Sequence, residues 1–107
     1  MNEVTHVSHI LTRAKWRVIE KECRRLQDKP NDFLSAGNRQ LLDAVANRIA
    51  AALLGHDPQS YPLPDGRIGI GSTSENWNKL LAALHFFAAG EAYEITQELR
   101  QVNACDV

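Results

Sequence analysis

A chain of 107 residues allows one domain with a modest core, and its 44% apolar and 23% charged composition is that of an ordinary globular protein. Its formal net charge of −1 excludes a global field that would draw it to nucleic acid or to an anionic membrane. The longest apolar stretches, residues 49–54 and 80–87, are too short to span a bilayer, and residues 1–12 lack the pattern of a secretory signal, so a cytoplasmic protein is expected.

Charge is uneven along the chain: residues 1–30 carry seven Lys/Arg against four Asp/Glu, the remainder five against nine. Residues 1–7 and 104–107 read as frayed ends of a single domain spanning 1–107. Ser8 or Thr5 is positioned to cap a first helix running to about Asp28. Its apolar face comprises Leu11, Val18, Ile19, Cys23 and Leu26, with Trp16 at the margin. On the opposite side Arg13, Arg17, Lys21 and Arg24 form a basic row. Pro30 stops the helix, since it has no N–H and disfavours helical geometry before it. In the connector that follows, Phe33 and Leu34 are candidate core plugs.

A second helix begins near Ser35 or Asn38 and buries Leu41, Leu42, Val45, Ile49, Ala52 and Leu53. Gly55 suits the left-handed position just past its end, and Pro58 confirms the stop. Residues 55–71 hold three prolines and four glycines, too many for a helix. There Pro64-Asp65-Gly66 is a turn signal with a mechanism: proline presets φ and glycine accepts positive φ. A short hairpin fits this stretch, with Pro62 confining it to an edge. Ser72 and Glu75 then read as a capping box opening the next helix.

From Trp77, apolar residues return at Leu81, Leu84, Ala88, Ala92, Ile95, Leu99 and Val102. At helical pitch all eight fall within roughly a quarter of the circumference, a register that runs straight past Gly90. The spacing predicts one long helix over 74–103, with a break at Gly90 as the alternative. The fold expected is therefore all-α: three helices, four if the chain breaks at Gly90, with the long C-terminal helix packed between the first two.

Candidate chemistry is sparse. The glycines before Ser72 lead into a helix N-terminus, but no lysine follows and no βαβ context surrounds them, so neither phosphate-binding motif is met. His6, His9, His56 and Asp57 do not supply the three or four convergent ligands of a zinc site, and Cys23 and Cys105 match no metal or redox spacing. Cys23 reads as a packed thiol, His85 as a hydrogen-bonded, partly buried histidine, and Glu91, Glu94 and Glu98 as a solvated helix face. No catalytic, metal-binding or cofactor-binding residue is expected.

Two function classes remain. The side of the long helix away from Trp77 carries Ala82, Ala83, Phe86, Ala89 and Gly90. Small residues around an aromatic anchor suit an interface, so the first reading is a non-enzymatic regulator or inhibitor acting by protein contact and forming a homodimer. The competing arrangement covers Phe86 with the 55–71 loop around Tyr61 and Leu63. The second function class is a nucleic-acid binder tracking phosphates with the basic row of the first helix. Against it, Glu20 and Asp28 border that row, and the connector is long for a helix-turn-helix.

Overall fold

The computed structural model describes residues 6–29 and 35–105, with side chains to 102; the Phe33 and Leu34 plugs lie outside the described residues. The order of elements is β1 (His6–Leu11), α1 (Arg13–Gln27), α2 (Ala36–Leu53), β2 (Ser60–Pro62), β3 (Ile68–Thr73), α3 (Ser74–Phe87) and α4 (Gly90–Cys105). The described residues thus form a mixed α/β fold, four helices with a three-stranded antiparallel sheet ordered β1-β3-β2, and the all-α expectation is wrong.

The missed strand is β1. Its six residues alternate strictly between exposed and buried, with Val7, His9 and Leu11 inward. That is the period of a half-buried strand, disguised in the sequence by a polar residue, His9, at the middle inward position. Its partner is more than sixty residues away, His6 facing Thr73 and Val7 facing Ser72. His6 and Val7 therefore belong to the sheet. Thr12, not Thr5 or Ser8, caps α1, its hydroxyl accepting the Lys15 amide at 3.2 Å.

The hairpin forms as expected. The Leu63 amide donates to the Arg67 carbonyl at 2.8 Å, Gly66 takes φ +91°, and Pro62 lies in β2 at the sheet edge. β3 then runs directly into α3, so the cap is Thr73, which accepts the Asn76 amide at 3.1 Å, and not Ser72. At the end of α2, Gly55 (φ +77°) lets the His56 amide reach back to the Ala51 carbonyl at 2.8 Å, the expected left-handed stop.

The long helix is broken. Ala88 is extended (φ −73°, ψ 153°), and Gly90 opens α4 at φ +61°. An unbroken helix over 74–103 would be roughly 45 Å long at 1.5 Å per residue, beyond the 40 Å longest dimension of the molecule. Folding back at residues 88–90 keeps both halves of the stripe inside: Trp77, Leu81 and Leu84 from α3 and Ala92, Ile95 and Leu99 from α4 are all buried.

α1, not the C-terminal segment, takes the middle position. Arg13 at its start donates to the Leu53 carbonyl at the end of α2 (2.5 Å). Arg39 near the start of α2 donates to the Gln27 and Lys29 carbonyls at the end of α1, both at 2.6 Å. These two ends make α1 and α2 an antiparallel pair. On its other flank α1 meets α4, through Glu22 near residue 89 and Lys15 at Glu98. The sheet lies against this layer. Trp16, foreseen at the margin, is central: it is 1% exposed and its Nε1 donates to the Ile68 carbonyl at 2.8 Å. Trp77 does the same to the Val7 carbonyl at 2.8 Å, and the imidazole of His9 stands edge-on to it at 4.6 Å.

Candidate functional site

The break between α3 and α4 creates a corner, and the corner is aromatic. His85, in the last turn of α3, stacks with Tyr93 of α4 at 5.9 Å between ring centroids, and its Nδ1 lies 2.8 Å from Gln97 Nε2. Phe86 sits beside it, edge-on at 6.0 Å, with its own ring in solvent. Phe86 is 81% exposed and Tyr93 39%, and both rings lie against His85.

The five residues foreseen as an interface are only partly brought together. Ala82 and Phe86 stand one turn apart on the exposed side of α3. Ala83 is buried, because the face it shares with Leu80 and Leu84 turns inward. Ala89 and Gly90 are exposed, but they lie past the end of α3 and do not extend a small-residue strip along one axis. The anchor remains while the flat helical strip does not. The 55–71 loop does not cover Phe86, since the Tyr61 ring packs against Gly69 on the sheet.

The basic row Arg13, Arg17, Lys21, Arg24 is exposed along α1, as its spacing required. Two of its members already have work inside the fold: Arg13 satisfies the Leu53 carbonyl, and Arg24 meets Glu20 at 3.4 Å.

Two features escaped the sequence reading. Glu22 is buried at the end of α1, where Arg25 donates to its carboxylate at 2.5 and 2.9 Å and the Ala89 amide at 2.7 Å. The Arg25 hydrogen bonds, with the Ala89 amide, hold its carboxyl below the usual range against the opposing effect of burial. Arg48 is the second, pairing with Asp57 at 3.1 Å and donating to the Gly71 carbonyl at 2.8 Å. It borders a cleft of about 300 Å³ between α2 and α3, walled by Leu41, Val45, Trp77 and Leu80. Arg25 is one turn from Glu22 in sequence, but the Ala89 amide that Glu22 meets and the Gly71 carbonyl that Arg48 meets are distant backbone groups that no local pattern marks.

Cys23 is fully buried, and desolvation pushes its thiol up to about 12. Among the described residues no group of three His, Cys, Asp or Glu side chains is placed to hold a metal ion, and no helix is long and apolar enough to cross a membrane. The chain matches no protein-family model, and no match to it was found among curated proteins or solved structures.

Proposed function

We propose that this protein is a non-enzymatic regulator or inhibitor that acts by protein contact and self-associates through the aromatic corner between α3 and α4. The observation that carries the reading is the 81% exposure of Phe86, whose ring lies edge-on to His85 while His85 stacks on Tyr93. Large rings of this kind anchor interfaces because they bury much area for little lost side-chain freedom. A two-fold pairing is the commonest way for a small chain to cover such a patch with a copy of itself.

Light scattering over a range of concentrations tests it. The wild type should run as a dimer and Phe86→Lys as a folded monomer with an unchanged circular dichroism spectrum. Since Phe86 contributes little to the interior, unfolding of the variant is not expected. A wild type that stays monomeric at high concentration would end the self-association reading.

Phosphate contact along α1 is the alternative, and it has less support, because Arg13 and Arg24 are engaged within the fold. A salt titration separates the two, since phosphate contacts weaken steeply as salt rises and an aromatic interface does not.

A further inference from the structure

The sheet has an unused edge. β3 is central, β2 covers one side of it and β1 the other, so the outer side of β1 has no partner strand among the described residues. Which groups point outward follows from the register. The Leu63–Arg67 and Gly71–Gln59 hydrogen bonds assign the odd-numbered residues of β3 to β2, because pairing alternates along an antiparallel ladder. Ile68, Ile70 and Ser72 therefore face β1, bonding to Leu11, His9 and Val7 in their registered pairs. The amides and carbonyls of Ser8 and Ile10 point away from the sheet.

A groove of about 450 Å³ runs beside that edge. It is bounded on one side by Ser8, His9, Ile10 and Leu11, and on the other by Glu98, Leu99, Gln101 and Val102 of α4. Four consecutive strand residues cannot line a depression on one face of a sheet, where only alternate residues appear. They line it because the groove opens onto the strand's edge. Its apolar floor includes Leu11 and Leu99, and Ile10 and Val102 stand 37% and 49% exposed at its sides.

We infer that this groove binds an extended peptide segment of another protein, which adds to β1 as a fourth strand and turns alternate apolar side chains toward α4. A row of unpaired main-chain donors and acceptors is complementary to another extended chain, and a helix beside the edge supplies side-chain selection. The four lining residues of β1 span about 13 Å, so a core of four to five peptide residues is read.

A second copy of β1 fits poorly as the occupant. A continuous sheet across a two-fold axis would direct the copy's Val7, His9 and Leu11 toward the groove, and all three are already buried in their own core. Charge selects little, because Glu98 at the rim is paired with Lys15 at 3.4 Å. The surface is also separate from the Phe86 corner, lying at the other end of α4.

The probe is a library of capped hexapeptides alternating Val, Ile, Leu or Phe with Ser, Thr or Lys, read by fluorescence anisotropy on the full chain. Alternating members should bind, while the same residues reordered in blocks should bind at least about tenfold more weakly. N-methylation of the alternate amides that face β1 should abolish binding while keeping every side chain. Ser8→Pro, which removes an outward amide from an edge strand where proline is tolerated, and Val102→Lys should each weaken binding by about tenfold or more. If Ser8→Pro fails to fold, the N-methylated peptide and Val102→Lys decide. Binding that survives N-methylation, or no binding by any library member at millimolar peptide, overturns the inference.

Discussion

The carboxylate of Glu22, on α1, accepts the amide of Ala89 at 2.7 Å across 67 residues of chain. It meets α4 at its N-terminus, where unpaired amides and the helix dipole favour a negative charge, and Arg25 holds it there from one turn along α1. The break between α3 and α4 is thus anchored by a side chain from a different helix. Glu22→Ala should cost about 2 kcal/mol, the scale of hydrogen bonds to a charged group, measured by urea unfolding at neutral pH.

The same residue sets an acid limb. Its carboxyl is held low, chiefly by the Arg25 hydrogen bonds, so its stabilising contribution is fully present above the unfolded value near 4.5 and is lost as pH falls through the folded one. Thermal unfolding scans from pH 7 to pH 2 should show wild-type stability falling below about pH 4.5. Glu22→Gln should show a shallower fall over that window. Parallel curves for the two proteins would remove Glu22 from the acid response.

Gly90→Ala distinguishes a broken helix from a continuous one by sign. In an unbroken helix the alanine would stabilise by about 1 kcal/mol. At φ +61°, where nothing crowds a new Cβ, it should instead destabilise by about 1–2 kcal/mol through backbone strain alone. Urea midpoints of the two proteins give the sign directly.

On the open face of the sheet, a Cβ at Gly69 would lie 2.5 Å from Tyr61 Cζ. Gly69→Ala should therefore lift the ring off the strand and cost about 1 kcal/mol, the low end for overpacking because Tyr61 is half-exposed and able to swing out. In a Tyr61→Ala background the same change should be neutral or stabilising. A double-mutant cycle measures the difference.

Cys23 should behave as a core methyl-sized group and not as a reagent. With its thiol pushed up to about 12 and no exposed surface, it should resist alkylation at pH 8 in a Cys105→Ser variant and react only as the chain unfolds. Rapid labelling under native conditions would contradict the packing described.

Residue spacing alone was enough to place α2 with its Gly55 stop and to narrow its cap to Ser35 or Asn38, and to place the Pro64-Asp65-Gly66 turn and the inward stripe from Trp77 to Leu99. Each depends on neighbours within a few residues, where period, capping and φ preference act. The same local rules failed for His6–Leu11, because a six-residue stretch with a histidine at its middle inward position looks like a helix approach until β3 is beside it. They failed again at residues 88–90, where the stripe has the same register on one long helix as on two. Only the tertiary structure decided that Glu22 would hold the start of α4, that α1 would lie in the middle, and that Tyr61 would go to Gly69 and leave Phe86 bare. Those outcomes depend on which distant surfaces meet, and on the need to bury both halves of a stripe within a molecule 40 Å long.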